Sequence, residues 1–217
     1  MSGNLCGVWA EGLSQQLSQR KTSSLWLCQN PWKGVYMIQL YCGDGKGKTT
    51  AAAGLALRAA GNGMRVIFSQ FMKGNDTGEL HALCQIKNIE IVRSPKDFGF
   101  YSTLNEQEKQ ELTKIHNEIL DRLLLAAKAG DSDMIILDEI TYPVSFHLID
   151  ENKLWELLSF GHGRENTGEN AGKETEIILT GRGPADFMTD SADYITEMRA
   201  VRHPFEKGIA ARKGIEY

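Results

Sequence analysis

The stretch Leu40–Thr50, L-Y-C-G-D-G-K-G-K-T-T, decides how the rest of the sequence is read. It follows an apolar, β-prone run (Val35, Tyr36, Met37, Ile38, Leu40) and precedes a helix-forming run from Ala51 to Ala60. Strand, glycine loop and helix in that order are the context of a phosphate-binding loop. Gly43, Gly45 and Gly47 let successive backbone N–H groups converge on one anion, and the helix N-terminus adds partial positive charge there. Lys48 supplies a full charge, and the Thr49 hydroxyl is placed to bind magnesium carried by a nucleotide. The general pattern G-x-x-x-x-G-K-[ST] is missed by one residue, because counting back from Gly47 reaches Cys42 and the glycine is Gly43. A loop one residue short implies a phosphate arrangement unlike that of an ordinary ATPase or kinase. The competing reading, a glycine turn with incidental lysines, sits poorly with the strand and helix flanks.

Beyond the loop, apolar runs and helical patterns alternate. The runs are Val35–Cys42, Val66–Phe71, Ile89–Val92, Met134–Leu137, Ile177–Leu179 and, more weakly, Tyr194–Met198. Between them lie helical patterns at Thr49–Ala60, Gly78–Ile86, Asn105–Ala129, Glu151–Phe160 and Pro184–Ala192. In Asn105–Ala129, Leu112, Ile115, Ile119 and Leu123 share one face, Thr103 and Glu106 form an expected capping box, and Gly130 is a natural stop. Such alternation predicts a P-loop NTPase-like, three-layer α/β/α fold around a mostly parallel sheet of roughly six strands. Ligands of these folds sit at the carboxyl ends of the strands, where the glycine loop also lies.

The composition narrows the class. A chain of 217 residues with 41% hydrophobic content makes one domain, or one domain with a tail. No apolar run reaches the ~20 residues of a membrane span. The net charge of −4 argues against bulk attraction to nucleic acid or an anionic membrane. Cys6, Cys28, Cys42 and Cys84 form no C-x-x-C pair, so a reducing cytoplasm is expected. Residues 1–36 stand apart: they hold Trp9, Trp26 and Trp32, and set Glu11 against Arg20, Lys21 and Lys33. Lacking the apolar core of a signal peptide, they read as an N-terminal extension, helical around Leu13–Gln19, outside a catalytic domain at 37–217. Met37 opens the first core strand, which makes an upstream start codon a further expectation. The polar, glycine-rich Gly161–Lys173 is expected to be a mobile surface loop, as a solvated connection or a lid.

Met134–Glu139, M-I-I-L-D-E, ends a strand in two carboxylates, the expected partner of a phosphate loop. Asp138 and Glu139 complete a magnesium shell opposite Thr49, directly or through water. They could equally orient a water, so the pair leaves an ATPase open. Further stretches reach the same edge: Gln70–Gly74 after the second strand, Lys96–Ser102 after the third, Thr180–Arg182 after the fifth, and Thr196–Phe205. Phe98, Phe100 and Tyr101 could stack on a flat ligand, and Arg182 could reach phosphate oxygens.

Together G-D-G-K-G-K-T-T-A-A (43–52), Q-F-M-K-G (70–74), L-D-E-I-T-Y (137–142), L-T-G-R (179–182), T-E-M-R-A-V-R-H-P-F-E-K-G-I (196–209) and the final G-I-E-Y resemble one family. It is that of the ATP:corrinoid adenosyltransferases acting on cob(I)alamin and cob(I)yrinic acid a,c-diamide, and its members carry this shortened loop. The resemblance covers 37–217 and implies that cobalt(I) of a reduced corrinoid attacks the ribose 5′-carbon of ATP and expels triphosphate. It also implies magnesium or manganese, a flavoprotein reductant and a cytoplasmic homodimer. Residues carried over for the nucleotide and corrinoid are Gly43, Asp44, Gly45, Lys46, Gly47, Lys48, Thr49, Thr50, Arg182, Phe98, Phe100 and Tyr101. Lys48, Thr49 and Glu139 are implied in catalysis, and Thr49, Glu139 and Asp138 at the metal. The breaking bond is C–O, so the protein must align the reactants and stabilise a leaving group that gains charge. Two departures stand out: Tyr101 and Ser102 replace Thr-Trp of the family's G-F-T-W run, and Gly161–Lys173 is longer than usual. Asp44 stands where Asn is common and sets a negative charge near phosphate. A P-loop ATPase or small-molecule kinase is the alternative, and a non-catalytic carrier of adenosylated corrinoid a third reading.

Overall fold

The computed structural model describes residues 36–161 and 174–216, with the Phe205 side chain left out. The expected extension at 1–36, apart from Tyr36, and nearly all of the expected loop at 161–173 lie outside the described residues. Six short strands form one sheet: β1 Ile38–Cys42, β2 Val66–Gln70, β3 Ile89–Arg93, β4 Met134–Asp138, β5 Glu176–Thr180 and β6 Tyr194–Glu197. Their order is β3-β2-β4-β5-β1-β6, and each neighbouring pair is parallel. The expectation of a mostly parallel sheet is thus met by a wholly parallel one.

Parallel strands need crossovers, and helices provide them: α1 Lys48–Gly61, α2 Gly78–Leu83, α3 Glu106–Ala129, α4 Thr141–Ser145, α5 Glu151–Leu158 and α6 Asp186–Ser191. Because side chains alternate along a strand, each strand feeds two cores. Ile135, Leu137, Ile177 and Leu179 pack with Leu120 and Leu123 of α3 and Leu154 and Leu157 of α5. Met134, Ile136, Ile178 and Phe68 face the other way, against Ala52, Ala56 and Ala59 of α1 and Leu80 and Leu83 of α2. Small alanines on α1 let that helix lie close to the sheet, which carries its first turn to the carboxyl ends of β4 and β5.

Two local expectations change. The capping box of α3 is formed by Asn105 and Glu108: Glu108 N–H donates to Asn105 Oδ1 and Asn105 N–H to the Glu108 carboxylate, both at 2.9 Å. Thr103 instead donates to Phe100 O at 2.7 Å, closing a 3₁₀ turn at Tyr101–Thr103, so the helix starts later than Thr103/Glu106 implied. Gly130 ends α3 in the left-handed region (φ 70°), as its position suggested. The helix α4 was not anticipated; its five residues include Pro143 in the first turn, where a missing N–H costs nothing.

Candidate active site

The glycine loop lies between β1 and α1 and is backed by the extension of β6. Gly45 N–H donates to Met198 O (2.7 Å) and Met198 N–H to Cys42 O (2.8 Å). A Cβ on Gly45 would stand 2.7 Å from Met198 O and from the Arg199 carbonyl carbon, so only glycine fits. Gly43 and Gly47 hold φ of 96° and 118°, which side-chain-bearing residues avoid. Lys48 Nζ donates to Gly43 O (2.7 Å) and Gly45 O (2.8 Å), spanning the loop from inside. Burial, followed by the Arg182 charge, holds the Lys48 pKa below the ordinary lysine value. Asp44 is exposed and accepts from Ala200 N–H at 3.1 Å, tying the loop to the chain after β6. That bond, ahead of any nearby cation, lowers its pKa.

Across from the loop, Asp138 is wholly buried at the end of β4. Thr180 donates to it at 2.7 Å, Thr49 at 2.9 Å, Lys73 at 3.1 Å and Gln70 at 3.3 Å. Glu139, next in sequence, takes the left-handed φ of 62° and donates its N–H to Thr180 Oγ1 at 2.9 Å. Such a backbone costs of order 1–2 kcal/mol. The Glu139 carboxylate shares Lys73 with Asp138, its Oε1 lying 3.3 Å from the Lys73 Nζ. Met72, at the equivalent exit from β2, has φ 59°. Burial opposes the charge on Lys73, but Asp138 and Glu139 together outweigh it and raise its pKa.

These groups surround a cavity of about 340 Å³ lined by Gly45–Thr50, Lys73, Glu139, Tyr142 and Arg182. A second cavity, about 680 Å³, is lined by Phe100, Tyr101, Ser102, Tyr142 and Phe146 and shares Lys73, Glu139 and Tyr142 with the first. Tyr101 stacks flat on Phe146, with ring centroids 4.1 Å apart and an interplanar angle of 5°. Phe100 is 82% exposed. Phe98 lines neither cavity: Lys96 Nζ sits 4.5 Å from its ring centre, and with Tyr101 and Phe146 the ring packs against the cluster of Leu104, Leu112 and Leu148. Of the residues singled out in the sequence, the structure gathers 45–50, Arg182 and Glu139 at one cavity and Phe100 and Tyr101 at its neighbour. Gly43 and Asp138 stand just behind the first.

Sequence reasoning passed over Lys73, Thr180, Tyr142 and Phe146 as site residues. The first two stood in noted stretches without a role. The aromatic pair carried a readable signal, an i, i+4 spacing directly after L-D-E.

A model of the ATP:corrinoid adenosyltransferase BtuR/CobO/CobP family matches residues 34–217. The chain belongs to this family. A corrinoid adenosyltransferase of Escherichia coli (strain K12) is 31% identical over 181 residues, covering 83% of this chain and 85% of that protein. Corrinoid adenosyltransferase CobA of Salmonella typhimurium is 34% identical over 185 residues, with 83% and 85% covered. One from Pseudomonas aeruginosa is 28% identical over 187 residues, covering 85% and 84%. Among solved structures, flagellar accessory protein FlaH of Methanocaldococcus jannaschii overlaps 76% of this chain and 72% of its own, with TM-score 0.46 and 14% identity.

Proposed function

We propose that the two adjoining cavities transfer the 5′-deoxyadenosyl group of ATP to cobalt(I) of a reduced corrinoid, releasing triphosphate. The chain is a transferase of the corrinoid adenosyltransferase family, in the service of adenosylcobalamin synthesis or salvage. The observation that carries the assignment of groups is the shared wall: a phosphate-loop cavity opens beside an aromatic one across Lys73, Glu139 and Tyr142. Triphosphate belongs in the first and the flat corrinoid against Phe100 and Tyr101 in the second, which brings the 5′-carbon to the wall. Gly43–Lys48 N–H groups, Lys46, Lys48 and Arg182 stabilise the charge that gathers on the leaving triphosphate. A hydrolase or kinase would need a base beside the loop. Asp138 is wholly buried with four donors around it, and Glu139 is paired with Lys73 in a place that a divalent ion would take over, so both carboxylates stay engaged as charge partners.

Thr49, Asp138 and Glu139 offer hard oxygen donors of the kind magnesium or manganese takes, and a cation, Lys73, already lies among them. A divalent ion there would neutralise triphosphate charge. We assign the chemistry to residues 37–217, the stretch that the family match covers almost alone. A cytoplasmic homodimer served by a flavoprotein reductant completes the reading. Among the described residues no helix is long and apolar enough to cross a membrane. Light scattering tests the dimer. The function is tested by anaerobic incubation with ATP, magnesium and chemically reduced corrinoid: the visible spectrum should become that of a light-sensitive alkylated corrinoid. A spectrum that stays unalkylated while ATP is consumed contradicts the reading.

A further inference from the structure

Lys73 occupies an unusual position. Its ammonium lies 3.1 Å from Asp138 Oδ2, 3.3 Å from Glu139 Oε1 and 3.3 Å from Thr49 Oγ1. Those three side chains are the ones suited to a divalent cation, so Lys73 stands where that ion would be expected. Lys73 also lines both cavities already described and a third of about 590 Å³, bounded by Thr49, Thr50, Thr77 and Gly214–Glu216. No other described residue lines all three. Its side chain is one-fifth exposed, and it leaves β2 through Met72, whose left-handed backbone (φ 59°) aims the chain into the site. A flexible four-carbon stem lets the ammonium move several ångströms without moving its Cα.

We propose that Lys73 is a catalytic residue with two positions: beside Thr49 it neutralises Asp138 and Glu139 before nucleotide binds, then shifts to the oxygen that leaves the ribose 5′-carbon. This inference rests on the adenosyl-transfer reading and extends it. When metal and triphosphate arrive, two cations cannot share the three oxygens, and the nearest new anion is the triphosphate in the adjoining cavity. In the reaction, the cobalt(I) electron pair forms the Co–C bond while the C5′–O bond breaks, and that bond's pair stays on the triphosphate oxygen. Cobalt is oxidised by two electrons and the carbon is reduced. The extra charge falls on an oxygen at the wall, where the Lys73 ammonium donates a hydrogen bond and keeps its proton. Such a contact strengthens as the bond breaks, so it lowers the barrier more than it tightens ATP binding.

The test compares wild type with Lys73→Met, and with Lys73→Gln should the methionine variant fail to fold. Turnover is measured anaerobically with ATP, magnesium and reduced corrinoid, ATP affinity by calorimetry, tripolyphosphate by its inhibition, and Mn2+ alone by electron paramagnetic resonance. Four results are expected of the variant: kcat down about 100-fold; ATP Kd within about threefold; tripolyphosphate inhibition weakened about tenfold; and Mn2+ bound about tenfold more tightly without nucleotide, since no ammonium competes. An unchanged kcat, or a loss fully matched by weaker ATP binding, overturns the leaving-group role, and unchanged Mn2+ affinity overturns the resident-cation role. Wild type that forms no alkylated corrinoid would instead remove the underlying reading.

Discussion

Around the phosphate loop the charged groups are held from several sides by hydrogen bonds and ion pairs, whereas across the shared wall the rings stack on one another over the apolar cluster of Leu104, Leu112 and Leu148 or stand exposed. Lys48 is fixed by two loop carbonyls and Asp138 by four donors, all within 3.3 Å. Phe100, by contrast, is 82% exposed, and Tyr101 rests on Phe146 and beneath Lys109 Nζ, 5.4 Å from its ring centre. The contrast fits the roles proposed for the two sides. Stabilising charge on a leaving group requires dipoles that are already oriented, because reorienting them would cost what the interaction gains. Accepting a broad, flat ligand requires apolar surface that can be covered, and rigid polar anchoring would add little.

The contrast breaks first at its most rigid point. Lys48→Ala and Glu139→Ala are each expected to lower kcat by at least about 100-fold, the scale of losing one transition-state electrostatic contact. Steady-state kinetics that show near-normal rates in either variant would remove that residue from the site.

The backbone just before Lys73 supplies the second test. His116 is buried behind the exit from β2: its Nε2 accepts from Met72 N–H at 3.3 Å, and its ring centre lies 5.4 Å from that of Phe71. Burial pushes its pKa down to about 4. Between pH 6.5 and 4 the unfolded chain therefore takes up a proton that the folded protein refuses, so stability is complete above that window and falls as pH drops through it. Between pH 7 and 5 the loss should be about 2 kcal/mol. Denaturant titrations at the two pH values check it, and His116→Gln should flatten the difference.

A smaller effect is expected where the loop meets the β6 extension. Gly45→Ala forces backbone apart at Met198 and Arg199 and strains the bond between Gly45 N–H and Met198 O. Overpacking of this kind costs about 1–3 kcal/mol, and ATP Kd should weaken roughly tenfold by calorimetry. Unchanged affinity would mean that the extension does not shape the loop. The mildest change belongs to the adaptable side: Phe100→Ala should raise the corrinoid KM about three- to tenfold, the worth of one ring contact, and leave the ATP KM alone. A fall in kcat at constant KM would instead give Phe100 a part in the transition state.

The same contrast explains what the sequence disclosed. All six strands and the five longer crossover helices were legible because each is a periodic run between turn residues, with boundaries moving by only a few residues. The phosphate loop was legible because its glycines are required by local backbone geometry: Gly43 and Gly47 by φ, Gly45 by the approach of Met198. The capping box slipped because Thr103 and Asn105 are both good caps, and only the competing bond from Thr103 to Phe100 O decides between them. The helix α4 was hidden by its length and by Pro143. Lys73 was hidden for a different reason: its meaning comes from Thr49 and Asp138, 24 and 65 positions away in sequence, and from cavities that no local pattern encodes. Arg182, expected from the sequence to reach phosphate, lines the loop cavity. Phe98 looked equivalent to Phe100 in sequence, and a difference of two positions turns it into packing against Leu104, Leu112 and Leu148.

The central claim is that the shortened loop holds triphosphate as a leaving group, so the most direct measurement is the fate of the phosphates. Phosphorus NMR of a reaction with ATP, magnesium and reduced corrinoid should show free triphosphate appearing in equal amount with alkylated corrinoid, and no ADP. ADP and inorganic phosphate as the first products would contradict the account, because they require a P–O bond to break where it places a C–O bond.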